Sequence, residues 1–405
     1  AGWIATILIV IGSVLWTGLI NFRHIEYSDQ LWWKFAFNAE APRMLRASLV
    51  AAVTVLTYGL LNLLKSNGTS TLSSSEAVDM KKIRSILSYA RDPSANVALL
   101  GDKRFIFSSD NTAFIMYQIY GRSWIVMGDP VGPLAKHEEL VWAFRELVDK
   151  FNGRPIFYQV SDESLPLYID MGLTLTKLGE EGRVSLTEFS LEGSKRAEFR
   201  QAINKSRKNG AIFEIIKEEN IAALLPELRS ISDQWLAEKN SAEKGFSLGS
   251  FSEKYLLNFD CAVVRYHSKI VAFANLWAAK EAGELSIDLM RYSSDAPKGI
   301  MDYLFTELML WGKENDYQYF SLGMAPLSGL EQRSLAPLWH KIGNVVFEHG
   351  ENFYNFEGLR HYKEKFDPEW HPRYIACPGG FINTPSALLD TSRLISGGWK
   401  GLLVK

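Results

Sequence analysis

The sequence predicts an α/β (α+β) protein whose body repeats one plan twice, behind two helices long and apolar enough to span a membrane. Three observations carry this expectation. Long uncharged apolar runs are confined to about the first 65 residues, a Ser/Thr/Gly-rich stretch follows, and beyond it short strand-like runs alternate with segments of helical period. A length of 405 residues allows two or three domains with cores of their own. Hydrophobic content of 47% and charge of 22% exclude a disordered or collagen-like chain. The net charge of -2 argues against general coating of nucleic acid but leaves room for a local basic patch. The two cysteines, Cys261 and Cys377, exclude a disulfide scaffold and a cysteine zinc cluster and suit a reducing compartment.

Residues 3–22 (WIATILIVIGSVLWTGLINF) carry no charge and cover a ~30 Å hydrocarbon core at ~1.5 Å per residue. A signal peptide is disfavoured, because there is no basic leading region and no A-x-A cleavage site. The chain does not begin with Met, which suggests a piece of a longer membrane protein. Residues 47–64 (ASLVAAVTVLTYGLLNLL) form the second span, with Arg43 and Arg46 placed to snorkel at its near end. Between the spans, residues 31–37 (LWWKFAF) read as an interfacial or re-entrant segment. Two spans put both chain ends on one side, and the cysteine usage favours the cytoplasm for that side. Residues 66–75 (SNGTSTLSSS) are a linker. The expected division is therefore 1–65 membrane helices, 66–77 linker, 78–212 and 213–380 two body domains, and 381–405 a tail.

In the first half, residues 97–100, 104–108, 113–119 and 123–128 read as a meander of short strands. Residues 138–151 read as a helix, 155–160 as a strand and 165–171 as a short helix ended by Gly172. The second half repeats the order, with a helix over 221–238, strands over 260–266, 269–278 and 284–292, a helix over 300–315 and a strand over 319–322. A meander, a helix and a strand, done twice, is the plan of tandem acyltransferase domains of the acetyltransferase (GNAT) type. A coenzyme-A-binding member of that class needs a Gly-rich loop whose N–H groups hold pyrophosphate. Residues 293–300 (SSDAPKGI) offer one Gly and a Pro without a donor, so coenzyme A is not expected as acyl donor and no cofactor is expected.

Three stretches could carry chemistry. In SIDLMRY (286–292), Asp288 shares a strand face with Ser286 and Met290, and Arg291 faces away unless a bulge intervenes. A charged pair in an apolar strand is either an ion pair at a sheet edge or part of a cleft. FYNFEGLRHYKEKFDPEWHPRY (353–374) interleaves Arg360, Lys363, Lys365 and Arg373 with aromatics, which suits an anionic ligand with apolar or stacking parts, or simply a solvated basic helix over a core. Gly323, in SLGMAPL, could let a ligand approach the backbone or merely permit a turn. GDPVGP (128–133) reads as a rigid turn, and the basic run Arg196, Arg200, Lys205, Arg207 and Lys208 as a solvated helix face. The seven histidines lack metal-site spacing, and no G-x-S-x-G elbow is present.

YSDQLWWKFAF with APRMLRA, GDPVGP, SIDLMRY, LGMAPLSGL and FYNFEGLRHYKEKFDPEWHPRY together resemble the bacterial multiple peptide resistance factor family, the aminoacyl-phosphatidylglycerol synthases. The likeness runs to about Ala376. It implies the last two spans of a multi-span flippase region followed by a tandem GNAT-like synthase at the bacterial inner (cytoplasmic) membrane. It implies transfer of an aminoacyl group, lysyl or alanyl with lysyl preferred, from aminoacyl-tRNA to phosphatidylglycerol, lowering negative membrane charge and resisting cationic antimicrobial peptides. By the same resemblance, Asp288 and Arg291 match the family's D-x-x-R, and Lys363 or Lys365 its essential lysine. For such a transfer Arg360 and Lys365 would lie nearby, and Tyr354 and Glu357 could line the aminoacyl pocket. The partners implied are aminoacyl-tRNA, phosphatidylglycerol and the membrane, with homo-oligomerisation left open. The rival enzyme is a peptidoglycan-bridge aminoacyltransferase using the same donor. A non-catalytic sensor of anionic lipid or tRNA is the rival of a different class. The tail after Gly380 reads as a loop and a short amphipathic helix without a site.

Overall fold

The computed structural model describes residues 80–239, 242–330, 356–379 and 383–397, together with residues 53, 54 and 57. Apart from those three positions, the expected spans, their connector and the linker lie outside the described residues, as does Tyr354. Among the described residues no helix is long and apolar enough to cross a membrane. Contacts divide the chain between Ser73 and Ser74, and the description that follows concerns the second unit.

The first half contains α1 (Met80–Leu87), a 3-10 helix (Pro93–Leu100), β1 (Arg104–Phe107), β2 (Phe114–Tyr120), β3 (Ser123–Met127), α2 (His137–Lys150), β4 (Arg154–Ser161), α3 (Leu165–Asp170) and β5 (Leu173–Ser185). After α4 (Ala197–Lys208) come β6 (Ala211–Ile216), α5 (Leu225–Glu238), α6 (Glu253–Leu256), β7 (Cys261–Tyr266), β8 (Lys269–Ala279) and β9 (Glu284–Tyr292). The chain then forms α7 (Ile300–Glu314), β10 (Tyr319–Pro326), α8 (Phe356–Glu364), β11 (Glu369–Pro378) and α9 (Asn383–Ile395). The fold is α/β, with one eleven-stranded mixed sheet in the order β1-β2-β3-β4-β11-β5-β10-β9-β8-β7-β6.

One face of this sheet carries a continuous apolar cluster that includes Ile125, Ile156, Phe273, Leu289 and Ile375, covered by α5 through Leu228 and Ile231 and by α9 through Ala387. Alternation along the strands sends their neighbours to the other face. There Trp124 and Phe157 meet Phe144 of α2, while Leu276, Leu285 and Phe320 meet Phe305 and Leu308 of α7.

Three features depart from the expected elements. Residues 97–100 are not a strand but the end of the 3-10 helix, because Asp92 caps it by accepting the Ser94 N–H (2.8 Å) and Pro93 opens its first turn. A short buried apolar run has no period that separates the two structures. β5 was not anticipated at all, although it runs through the middle of the sheet. Its sequence, LTLTKLGEEGRVS, is too charged to read as a central strand. Its charges are instead paired, within the strand for Lys177 with Glu180 (2.7 Å) and from other elements for Glu180 with Arg360 (2.6 Å) and Arg183 with Glu284 (2.8 Å). Arg373 of β11 bridges Glu181 and Asp92, which makes their burial tolerable. The third feature is β11. Its residues come from the C-terminal segment, yet it inserts between β4 and β5 of the first half. The sheet is therefore shared, and no break in it falls at residue 212.

β9 and β10 are parallel and pair through three rows only, Tyr319 with Glu284, Phe320 with Leu285 and Ser321 with Ser286. Beyond that row β9 keeps β8 as its neighbour and β10 keeps β5, so the two strands splay apart. The D-x-x-R segment and Gly323 both lie just past the splay.

Candidate active site

The register of β9 against β8 shifts between Ala274 and Leu276, so that Asp288 and Leu289 together lie opposite Asn275. This is a bulge, and it reverses the expected alternation. Ser286 pairs with Trp277 and Arg291 with Phe273, both on the α5 face, while Ile287 and Met290 turn to the α7 face. Asp288 and Arg291, which a regular strand would set on opposite faces, therefore share one. The Leu289 N–H released by the bulge is satisfied by the buried Asn275 side chain (2.8 Å).

Asp288 accepts the Gly249 N–H (2.8 Å) at one carboxylate oxygen and the Tyr255 hydroxyl (2.7 Å) at the other; Tyr255 in turn accepts from the Trp277 indole (3.0 Å). The residue keeps some exposure, but its carboxyl is enclosed by protein. That desolvation pushes its pKa up to about 6, against the opposing pull of these donors, Lys103 and Arg291. Arg291 is buried. It donates to Ser232 (3.0 Å) and Glu243 (2.9 Å) and lies over the Trp235 ring (4.8 Å).

The approach of the 242–249 segment requires glycine at 249: a Cβ there would stand 1.8 Å from Asp288 Oδ2 and 2.7 Å from the Tyr255 ring. Gly249→Ala displaces the carboxylate and lowers turnover by about 100-fold, since ~1 Å of misplacement costs that much. Steady-state kinetics beside a thermal melt check this, and unchanged kcat in a folded Gly249→Ala protein refutes it.

On β10, Gly323 sits in a second bulge at φ +74°. Its N–H donates to Ser321 Oγ (3.1 Å), and Ser321 donates to Glu181 (2.5 Å). Its carbonyl and that of Met324 accept from the buried Lys363 ammonium (2.9 and 3.0 Å). Among the described residues no carboxylate pairs with Lys363. Burial therefore lowers its pKa to about 8, with Glu181 resisting from farther off. The two lysines of K-E-K-F are thus separated. Lys363 reaches the β10 bulge, whereas Lys365 turns to α7, 3.8 Å from Asp302. Arg360 pairs with Glu180 and Glu364 (3.0 Å) and stacks on Trp370 (4.1 Å), so it braces β5 against α8. Glu357 is exposed on the first turn of α8.

Sequence reasoning missed Asp102, Lys103, Tyr255, Glu243, Gly249 and Glu181. Asp102-Lys103 looks like an ordinary charged turn, and only the Gly-x-x-x-Gly spacing of 245 and 249 hinted at a close backbone approach. GDPVGP is a turn as expected, with Asp129 accepting from Tyr168 (2.8 Å) and the Ser161 N–H (3.0 Å). In the basic run, Arg207 is engaged by Glu307 and Arg200 by backbone carbonyls. A cavity of about 490 Å³ opens elsewhere, at the ends of β3 and β4. Of its arginines, Arg154 is held by Asp390 (2.7 Å) and Arg122 by Asn152, so it adds nothing to this site. Both cysteines are buried and free, their thiols pushed up by burial, which suits neither to nucleophilic work. Among the described residues no cluster of His, Cys, Asp or Glu could hold a metal ion.

The chain is 39% identical over 283 residues to the phosphatidylglycerol lysyltransferase of Bacillus subtilis (strain 168), covering 70% of this chain and 33% of that one. It is 37% identical over 276 residues to that of Staphylococcus xylosus, covering 68% and 33%. It thus spans about a third of the length of these curated relatives. Among solved structures, the C-terminal domain (DUF2156) of a protein titled lysylphosphatidylglycerol synthetase from Agrobacterium fabrum superposes with a TM-score of 0.72 at 43% identity, covering 81% of this chain and all of that one. L-PGS from Bacillus licheniformis superposes at 0.69 with 39% identity, covering 78% and 97%. The family described as "Phosphatidylglycerol lysyltransferase, C-terminal" matches residues 83–377, and the chain belongs to it.

Proposed function

We propose that this chain transfers a lysyl group from lysyl-tRNA to a glycerol hydroxyl of phosphatidylglycerol, at the cytoplasmic side of a bacterial inner membrane to which residues 3–22 and 47–64 anchor it. The observation that carries the reading is the β9 bulge, which gathers Asp288 and Arg291 on one face at the splay between β9 and β10, beside the strand that holds Lys363. The family and the names of the curated relatives support the acyl group and the acceptor. The repeated meander-helix-strand order supports a tandem GNAT-like ancestry. The 293–300 loop supports a donor other than coenzyme A, because its Ala296 and Ile300 N–H groups bond back to Ser293 and Pro297 (3.0 and 3.1 Å).

The chemistry is an ester exchange. The lipid hydroxyl oxygen bonds to the aminoacyl carbonyl carbon, the bond to the ribose oxygen breaks, and the hydroxyl proton ends on the departing ribose oxygen. Ester replaces ester, so no nucleotide triphosphate is consumed. With its pKa near 6, the Asp288 carboxylate is mostly ionised at neutral pH and accepts the proton without binding it too tightly to pass on. The Lys363 ammonium and the Arg291 guanidinium are the cations available to the carbonyl oxygen as it gains charge and to the lipid phosphate. Fixing both substrates supplies about 7–11 kcal/mol and one well-placed donor about 3–4 kcal/mol more. We assign Tyr354 and Glu357 to recognition of the aminoacyl group and Arg360 and Lys365 to the surroundings of this centre, with Gly323 shaping the backbone that holds Lys363.

Incubating the protein with phosphatidylglycerol vesicles and labelled aminoacyl-tRNAs, then separating the lipids by thin-layer chromatography, tests the reading. Labelled lysyl-phosphatidylglycerol is expected, and none with acetyl-coenzyme A as donor. An alanyl product corrects the amino acid, transfer only to a muropeptide corrects the acceptor, and binding without turnover refutes the enzyme.

A further inference from the structure

The second half holds Asp288 and Arg291, yet the groups that fix Asp288 are anchored from outside that half. Asp102 and Lys103 lie in the loop between the 3-10 helix and β1. Lys103 has a fully buried side chain, and its ammonium bonds Asp102 at 2.6 Å. Asp102 also accepts from Gln118 of β2 (2.7 Å) and from the Phe246 N–H (3.1 Å). Phe246 belongs to the 242–249 segment and adopts φ +63°, a conformation that a side chain other than glycine holds only under outside constraint. The same segment is pinned a second time where the Gly245 N–H reaches the Ile395 carbonyl at the end of α9 (3.0 Å). It then presents Gly249 N–H to Asp288 and Glu243 to Arg291. A chain of contacts thus runs from the first half, through one short backbone segment, onto both members of D-x-x-R.

We infer that Asp102 and Lys103 are positioning residues for Asp288. Asp102 latches the segment that aims the carboxylate, and Lys103 is the buried countercharge that Asp102 holds. Neither residue touches substrate in this account. The charged and titratable groups facing Asp288 are Lys103 from the loop before β1, Arg291 from β9 and Tyr255 from α6, with Asp102 beside Lys103 and Glu243 beside Arg291. Arg291 is paired with its own carboxylate partner, Glu243. Lys103 is shared between Asp102 and Asp288, with burial and these two carboxylates acting on its proton in opposite senses. Removing the Lys103 charge therefore leaves Asp288 in the same desolvated setting with less to hold it ionised. The inference rests on Asp288 being the working carboxylate of the proposed transfer, but it has a readout that needs no transfer.

That readout is the titration of the Asp288 carboxyl by carbon NMR in the substrate-free protein, assigned by its loss in Asp288→Asn. With Lys103→Met, the midpoint is expected to rise from about 6 by about one pH unit, the effect of withdrawing a buried opposite charge. The acid limb of kcat/KM should move with it. Lys103→Arg, which keeps the charge, should leave the midpoint near its original value and thereby rescue both measurements. If Lys103→Met folds and shifts only the melting temperature, leaving the carboxyl midpoint in place, Lys103 is packing and the inference fails. If Lys103→Met does not fold, Asp102→Asn decides. A latched segment predicts a broadened Gly249 amide signal and a lower kcat at unchanged KM, and an unperturbed amide with wild-type kcat overturns the proposal. A wild-type protein that transfers nothing strikes at the proposed reaction alone, because the titration still reports on the pairing.

Discussion

Asp288→Asn lowers kcat and kcat/KM together by about 10²–10³-fold while the protein stays folded, the pattern of a contact made in the transition state. Asparagine preserves the outline of the carboxylate, and its amide oxygen still receives the Gly249 N–H. The Tyr255 hydroxyl, held from behind by the Trp277 indole, can turn to accept from the new amide N–H. What disappears is the negative charge and the ability to take a proton. The wild-type profile of kcat/KM should accordingly show an acid limb near pH 6. As proton acceptor Asp288 works in its deprotonated form, and burial raises its pKa to about 6, so activity falls as pH drops through that value. Asp288→Asn should lack this limb. Arg291→Lys is the companion variant. A lysine cannot donate to Ser232 and Glu243 in a planar fork while stacking on Trp235, so charge alone does not replace it. If Asp288 and Arg291 are merely structural, both changes depress the melting temperature and leave turnover per folded molecule near wild type.

Lys363→Met removes activity by a comparable factor of about 10²–10³, because the buried ammonium is the cation that the β10 bulge holds out at the splay. Its pH signature is opposite in sense. Burial lowers the Lys363 pKa to about 8, so the charged form is lost as pH rises through that value, and kcat/KM should fall on an alkaline limb there. With Asp288 this makes a bell between about 6 and 8. Met fills the space of the lysine stem, and the Gly323 and Met324 carbonyls then lose their donor, so a modest fall in melting temperature accompanies the loss. Lys365→Met, two residues on, should leave more activity, since that side chain turns to Asp302 on α7. Equal losses at 363 and 365 would undo the assignment of the cation to Lys363.

The longer helices and most strands were legible because their apolar residues repeat with the period of the element that buries them, whereas α1 and α6 were not read at all. α7 and the β7-β8-β9 meander fall within a residue or two of the segments read from the pattern. The strands that escaped, β5, β6 and β11, share a physical cause in part. β5 and β11 are flanked on both sides, yet β5 carries Lys177, Glu180, Glu181 and Arg183. Glu180, Glu181 and Arg183 are met by Arg360, Arg373 and Glu284, partners far away in sequence, so the local pattern gives no sign that the strand is central.

The candidate site divides in the same way. Asp288 and Arg291 stood out in the sequence because a charged pair embedded in SIDLMRY is costly there without a reason, whereas the lysine, Lys363 or Lys365, came only from the family resemblance. Sequence alone also determined the α/β class, the spacing of D-x-x-R and the absence of a pyrophosphate loop before α7. Tertiary structure decided which face each residue takes and what holds it there. A one-residue bulge opposite Asn275 inverts the strand alternation and brings Asp288 round to Arg291, and a backbone hydrogen-bond register across two strands cannot be read from one of them. It also separated Lys363 from Lys365 and brought Asp102, Lys103 and Gly249 to Asp288 from segments 39 to nearly 190 residues away in the chain. Such pairings depend on the path of the whole chain through the shared sheet, because desolvation and Coulomb attraction act through space and local sequence patterns record only neighbours along the chain.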